Sequence, residues 1–336
     1  MKDPDRDAQV TPESFSVHAP TMREERPLRK HIVLEAFLVL LFFASTILTI
    51  VYLGSISVVP ETQAAAVAAV PQDFFAELAI EGKAAYVADL TTHAALYAKY
   101  ADVQLPLASL AKVILVLVVT EVLEPESTIT IPIHTPPDGG IKRFPDGSTW
   151  LAQDIIDFTL INSSNEGAEI LADATEPRLR AKYPDAGEGS AVLWRMNALA
   201  RELELTHTYF LNASGLDISA TQAGAYGSAR DTAKLFTYAN EANPRTFEGT
   251  AREGRRLVSL EGDRATARNT DKSLGEIPGL IMGKTGTTDL AGGNLAVIFD
   301  IGLAHPIVAV VLGSGDAERY SDMLAIIKAV QKTIAQ

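Results

Sequence analysis

The sequence predicts an α+β protein. An antiparallel sheet flanked by helices recruits both ends of a globular body, an all-helical lobe is inserted between them, and one transmembrane helix precedes the whole. Three observations predict it. Strand-like runs open and close the region after residue 74, helical periodicity fills the middle, and an uncharged apolar run lies ahead of both. Composition narrows the function. With 29 Lys plus Arg against 42 Asp plus Glu, the net charge is −13, a balance that disfavours a nucleic-acid binder, which normally shows a basic stripe able to displace counterions. Hydrophobic residues at 47% and charged residues at 21% suit a chain that buries a full core. Cysteine is absent, which removes disulfides, zinc thiolates, iron–sulfur clusters and a thiol nucleophile together.

Ala36 to Leu53 carries no charge and, at 1.5 Å per residue, spans about 27 Å; Ile32, Val33 and Ile56 extend it to a bilayer core of about 30 Å. Arg23, Arg26, Arg29 and Lys30 precede it, and no Lys or Arg follows until Lys83. The positive-inside rule then holds the preceding tail in the cytoplasm and sends the body outside. A cleaved signal peptide is the alternative, since Ala64, Ala65 and Ala66 offer small residues for a peptidase. Its apolar core would be only about 7–15 residues long, which favours an uncleaved anchor. The expected organisation is therefore a flexible tail (1–31), a membrane anchor (32–56), a tether (57–73) and one globular body (74–336).

Within the body, Ala84 to Leu90 and Ala94 to Tyr100 read as a hairpin turning at Thr91 to His93. Ser109 to Leu123 is apolar but too short to cross a bilayer, so a buried helix is expected. Trp150 to Asn162, Ala168 to Thr175, Ala191 to Leu203 and Ala229 to Asn240 read as helices, the last with Asp231 in its first turn, where a carboxylate suits the dipole. Leu280 to Gly283, Asn294 to Ile301 and Ile307 to Leu312 are strand-like. Tyr320, Met323, Leu324, Ile327 and Ile334 then recur at helical spacing.

Three short patterns sit at the ends of these elements: Ser109-Leu110-Ala111-Lys112 opening the buried helix, Ser163-Ser164-Asn165 after a helix, and Lys284-Thr285-Gly286-Thr287 leaving a strand. Residues three apart on a helix share a face, so Lys112 can reach the Ser109 hydroxyl. Val113, Ile114 and Leu115 surround the amine with apolar groups, and desolvation is expected to lower its pKa into the range of a usable base. A serine hydroxyl is a weak nucleophile until such a base takes its proton. Taken singly, each pattern also fits a helix cap or a strand end.

Together the three patterns resemble the Ser-x-x-Lys, Ser-x-Asn and Lys-Thr-Gly set of penicillin-binding proteins and serine β-lactamases. Tyr86 to Leu90 with Leu96 to Lys99, Asn212-Ala213-Ser214-Gly215-Leu216-Asp217, Ser228 to Asp231 and Thr287 to Gly292 are similar to segments of the low-molecular-weight D-alanyl-D-alanine carboxypeptidases. The resemblance covers about Ala84 to Ser314. It implies the β-lactamase/transpeptidase-like fold and a membrane-anchored, extracytoplasmic enzyme that trims peptidoglycan stem peptides ending in D-Ala-D-Ala and binds β-lactam antibiotics, with no cofactor and no metal. It also implies roles. Ser109 matches the nucleophile, Lys112 the acylation base, Ser163 the proton relay, and Asn165 the amide that holds substrate and Lys112. Lys284 would supply positive potential, Thr285 and Thr287 would meet the substrate carboxylate within the Lys284-Thr285-Gly286 motif, and the Ser109 and Thr287 N–H groups would form the oxyanion hole. The chain departs from the family's usual pattern at Ala111 and Ala213, and leaves no room for the C-terminal β-domain many relatives carry.

Two alternatives stay in view. A serine β-lactamase needs a base for its deacylating water, and Glu176-Pro177-Arg178-Leu179 resembles the class A segment that supplies one. It follows Ser163 by only about a dozen residues, so Glu176 is expected instead at the end of a surface helix stopped by Pro177. The other is a non-catalytic penicillin-binding cell-wall sensor. A Ser–His–Asp hydrolase would need a Gly-x-Ser-x-Gly elbow, which is missing, and no metal-ligand spacing occurs among the six histidines.

Overall fold

The computed structural model describes residues 29–54, 73–137, 139–302 and 304–336. The expected tail and tether, the arginines at positions 23 and 26 and the alanines at 64–66 lie outside the described residues, apart from the edges of those segments. The chain divides into two units, Met1–Val70 and Pro71–Gln336. In the first, helix α1 (Arg29–Gly54) contains an apolar window, Glu35–Tyr52, of mean hydropathy 2.1, and none of that window is buried. Phe37, Leu40, Phe42 and Leu48 are all more than half exposed. By length and composition this helix can cross a membrane.

The second unit is built on a five-stranded sheet. Its strands are β1 (Ala84–Asp89), β2 (Ala95–Lys99), β3 (Leu280–Thr288), β4 (Gly292–Asp300) and β5 (Pro306–Ser314), in the order β3-β4-β5-β1-β2. Every neighbouring pair is antiparallel, and β1 lies against β5 with Ala84 opposite Leu312 and Asp89 opposite Ile307. The two ends of the body thus meet in mid-sheet, as predicted. Alternation explains why these strands read as nearly continuous apolar runs: both faces are covered. Leu295, Val297, Phe299, Ile307, Ala309 and Val311 face the C-terminal helix α7 (Glu318–Ile334), through Met323, Ile326 and Val330. Ala296, Ile298, Val308, Val310 and Leu312 face the opposite way, into the core shared with the helical lobe.

That lobe comprises α2 (Lys112–Thr120), α3 (Ala152–Ile161), α4 (Asn165–Lys182), α5 (Ala191–Glu202) and α6 (Ala229–Ala242). Helix α2 is apolar all round and entirely buried up to Val119. At about 25 cal/mol per Å² of apolar surface, each buried Val, Ile or Leu contributes roughly 1.5–3 kcal/mol, so the run Val113 to Val119 forms the lobe's hydrophobic axis.

Four sequence expectations are corrected here. Ser109 lies not in the first turn of an α-helix but in a 3-10 turn, Ala108–Ala111, that runs into α2. Lys284-Thr285-Gly286-Thr287 does not leave a strand; it lies within β3, because pairing with β4 continues through Thr288 opposite Gly292. The helix expected from Trp150 begins at Ala152, since Thr149–Leu151 pairs with Thr128–Thr130 and the Trp150 indole N–H donates to Ser148 Oγ at 2.7 Å. Helix α4 continues through Pro177 to Lys182. An interior proline costs a helix about 3 kcal/mol, but Leu171, Thr175 and Leu179 recur every fourth residue and are all fully buried, and their packing outweighs that cost.

Candidate active site

The site lies where the 3-10 turn, the α3–α4 junction and β3 converge, and the local sequence accounts for each. In a 3-10 turn residues i and i+3 eclipse one another, which sets Lys112 directly over Ser109. The Lys112 ammonium nitrogen donates to Ser109 Oγ at 2.8 Å, to Asn165 Oδ1 at 2.8 Å and to the Ser214 carbonyl at 2.9 Å, and the residue is fully buried. Ala108, just before Ser109, has φ +49°, a left-handed conformation that costs a non-glycine residue on the order of 1 kcal/mol.

The Ser163-Ser164-Asn165 run divides three tasks among three residues. Helix α3 ends at Ile161, and Ser163 turns the chain through φ +56°. Ser164 caps α4, its Oγ accepting from Gly167 N at 3.0 Å. Asn165 opens α4 and faces Lys112. The capping role that could have explained the whole pattern is therefore taken by Ser164 alone, and Ser163 and Asn165 turn to the two lysines.

Strand β3 brings the second lysine. Lys284 Nζ donates to Ser163 Oγ and to the Thr285 carbonyl, both at 2.7 Å. Burial, then the nearby charges of Lys112 and Arg319, push its pKa well below the usual lysine value, and Asp271 acts weakly the other way. Thr285 Oγ1 lies 2.6 Å from Thr270 Oγ1. Gly286 allows the approach of the strand to the Ser109 backbone: an added Cβ would stand 2.8 Å from the Leu107 carbonyl oxygen and 3.2 Å from Ser109 N. Gly215, at φ +78°, fits similarly against the Ala108 carbonyl, where a side chain would overlap the backbone.

Several contributors carry no motif. Arg319, at the head of α7, donates to the Gly286 carbonyl at 3.0 Å and to Thr287 Oγ1, and pairs with Asp316. It is 5% exposed and heads the stripe that continues through Met323, Ile326 and Val330; a lone arginine on that buried face was the signal available in the sequence. Asn294, fully buried in β4, donates to the carbonyls of Pro106 and Leu107 at 3.0 and 3.1 Å and so anchors the segment leading to Ser109. Asp217 accepts from Thr288 Oγ1 at 2.9 Å and from Leu290 N at 3.1 Å. The Asn212–Asp217 segment thus touches the Ala108–Ala111 turn at Gly215 and the end of β3 at Asp217.

Glu166, next to Asn165, is buried and accepts from the N–H groups of Arg143 and Phe144 and from His134 Nε2 at 2.8 Å. Burial opposes charge on His134, but its bonds to Glu166 and to the Pro132 carbonyl outweigh that and hold its pKa above the ordinary value. Glu176 is placed quite differently from a base for water. Its carboxylate accepts from Ala191 N at 2.8 Å, Val192 N at 3.1 Å and Ser190 Oγ at 3.1 Å, and it pairs with Arg180, so it caps α5. No group of three or more acidic or histidine side chains able to hold a metal occurs among the described residues.

A serine whose oxygen is bonded to a buried amine, beside a second serine–amine pair and a third cation, can support attack on a carbonyl and attract a carboxylate. The comparisons with known proteins agree in kind. The family model described as D-alanyl-D-alanine carboxypeptidase matches residues 68–316, and the chain belongs to that family. It is 31% identical over 206 residues to D-alanyl-D-alanine carboxypeptidase DacB2 of Mycobacterium tuberculosis (strain ATCC 25618 / H37Rv), covering 61% of this chain and 66% of that protein, just under two thirds of its length. It is 26% identical over 238 residues to the D-alanyl-D-alanine endopeptidase of Escherichia coli (strain K12), covering 70% of each. In structure it is similar to penicillin-binding protein D2 of Listeria monocytogenes in its cefotaxime-bound form, with a TM-score of 0.62 and 26% identity over 76% of this chain and 98% of that one.

Proposed function

We propose that this member of the D-alanyl-D-alanine carboxypeptidase family is a serine-type carboxypeptidase, held in the membrane by α1 and facing outward, that removes the terminal D-alanine from peptidoglycan stem peptides. The observation that carries the reading is the 2.8 Å bond between the fully buried Lys112 Nζ and Ser109 Oγ, a half-buried hydroxyl open to a substrate. Lys112, in its unprotonated form, takes the Ser109 proton as Oγ attacks the carbonyl of the penultimate D-alanine. The developing oxyanion is met by the N–H groups of Ser109 and Thr287, where one donor is typically worth about 10²–10³ in rate. The C–N bond then breaks, the leaving amine receives a proton by way of Ser163, and water hydrolyses the ester to regenerate Ser109. Asn165 orients the Lys112 amine and the substrate backbone. Lys284, Thr285 and Thr287 draw in the terminal carboxylate, with the charge of Arg319 behind them.

A β-lactam presents the same carbonyl and carboxylate, so penicillin acylates Ser109 covalently in this reading. The placement of Glu176 as a helix cap supports slow deacylation, and with it a penicillin-binding protein rather than a β-lactamase. The test is labelling by a fluorescent penicillin together with product analysis on a defined pentapeptide. Wild-type protein is expected to label at Ser109 and to release D-alanine, while Ser109→Ala, folded by circular dichroism, does neither. Labelling that persists in folded Ser109→Ala would remove the assignment. Lack of labelling in the wild-type protein would favour the non-catalytic sensor.

A further inference from the structure

A cationic cavity adjoins the site in a chain whose net charge is −13. It measures about 530 Å³ and is walled by Lys142, Arg143, Asn162, Arg264 and Arg268, with Phe158 beneath. No carboxylate lines it. Lys142 is neutralised by Asp146 at 2.7 Å, but Arg143, Arg264 and Arg268 are exposed and have no ion-pair partner among the described residues. Other arginines of the body do have such partners, Arg195 with Glu121 and Glu202, Arg230 with Asp102, Arg255 with Asp154 and Asp157, and Arg319 with Asp316, and although Arg178, Arg201, Arg245 and Arg256 have none among the described residues, this wall brings three unpaired arginines into one cavity. Unpaired cations gathered in one concave wall repel one another and hold that cost for an anion.

Position identifies the anion. Arg143, Phe158 and Asn162 also line a smaller cavity of about 200 Å³, whose other walls include Ser163, Ser164 and Asn165. The shared walls set the arginine-walled cavity next to Ser163 and Asn165 of the candidate active site, with Glu166, bonded to the Arg143 and Phe144 amides, also lining the smaller cavity. Arg264 and Arg268 lie on the same face of the strand Arg264–Arg268, four residues and so about 13 Å apart. Such spacing suits separate charges along an extended chain better than one compact dianion, and a guanidinium fork matches a carboxylate in two parallel bonds.

We infer that this cavity is a subsite for free carboxylates of the acyl-donor peptide upstream of its D-Ala-D-Ala terminus, so that the protein selects acidic stem peptides over amidated ones. The inference rests on the proposed function for the identity of the peptide's end, and on the cavity alone for the selectivity. Its test uses the full chain in detergent and two labelled peptides ending in D-Ala-D-Ala, identical except for glutamate or glutamine upstream. Binding is read by fluorescence anisotropy in Ser109→Ala protein, which needs no turnover, and KM and kcat are read in the wild type. The acidic peptide is expected to bind several-fold tighter. Arg264→Gln with Arg268→Gln should remove that preference by weakening the acidic peptide about twofold to fivefold per arginine, chiefly in KM, and leave penicillin acylation at Ser109 unchanged. Arg264→Lys should retain part of the preference. Equal binding of the two peptides, or a preference that survives the double variant, overturns the inference even where penicillin still labels Ser109. So does polyphosphate binding that depends on the arginines without any preference between the peptides, which would assign the cavity to a phosphate polymer. Failure of penicillin labelling with the acidic preference intact would instead sink the enzymatic reading and leave the subsite standing.

Discussion

Two serine–lysine pairs, each a half-buried hydroxyl on a buried amine, meet at the site, and they are built in opposite ways. Ser109 and Lys112 are three residues apart on one turn; Ser163 and Lys284 are 121 residues apart, on the α3–α4 junction and on β3. Backbone geometry alone delivers the first pair, and three acceptors, Ser109 Oγ, Asn165 Oδ1 and the Ser214 carbonyl, then fix its amine. The second pair exists only because the sheet carries Lys284 to the helical lobe. Its amine sits among like charges with burial against it, which is why its pKa falls. A local pair can be tuned by its immediate neighbours, whereas a distant pair reports whether the two halves of the fold are correctly closed on each other.

Breaking the local pair should give the largest effect. Lys112→Ala is expected to slow penicillin acylation by about 10²–10⁴ at neutral pH with the fold retained, measured by stopped-flow or by labelled-penicillin time courses. Unchanged acylation would take Lys112 out of its role as base. Opening the distance between the pairs comes next. Gly286→Val sets a side chain against Leu107 O and Ser109 N, and a shift of about 1 Å at that contact should cost around 10²-fold in acylation rate. Equal rates would mean that β3 need not approach the nucleophile.

The Lys284 environment gives a smaller, thermodynamic effect. Because its folded pKa is depressed, the unfolded chain binds the extra proton between that lowered value and about 10.4, and stability rises with pH across this window. Denaturant titrations of wild type and Lys284→Met at several pH values should show that slope in the first and its reduction in the second. An identical slope would mean that Lys284 keeps its proton in the folded protein. The smallest effect is at the edge of the site. His134 has a raised pKa, so the stability it lends through Glu166 is fully present below about pH 6.5 and is lost as pH rises through its folded value. Protection factors of the Arg143 and Phe144 amides, both bonded to Glu166, corrected for the intrinsic rise of exchange with pH, should fall over that range in wild type and not in His134→Gln.

Much of this was legible before any coordinates. The meeting of chain ends in one antiparallel sheet, the buried helix after Ser109 and the three motifs follow from period-two and period-3.6 patterning and from residue spacing. What sequence reading missed has a common cause. Pro177 looked like a helix stop because local propensity was weighed without the buried Leu171, Thr175 and Leu179 that carry α4 past it. Sequence pattern ends β3 at Gly283, because a lysine, two threonines and a glycine lack strand patterning, although pairing with β4 continues through them. Arg319, Asn294 and Glu166 leave no local signature, because each acts on a partner distant in the chain.

By itself the sequence determined which groups would be chemically able: a hydroxyl and an amine one turn apart, an apolar helix to surround the amine, and an uncharged helix long enough for a bilayer. Those properties depend on neighbours within a few residues, and short-range geometry is written directly into spacing. Only the tertiary structure decided that Lys284 meets Ser163, that Gly286 lies against the Ser109 backbone, and that unpaired arginines gather beside Asn162. Each of these needs a long stretch of chain to close, and where a closed chain brings charge together is set by packing of the whole core, a sum that no local window contains.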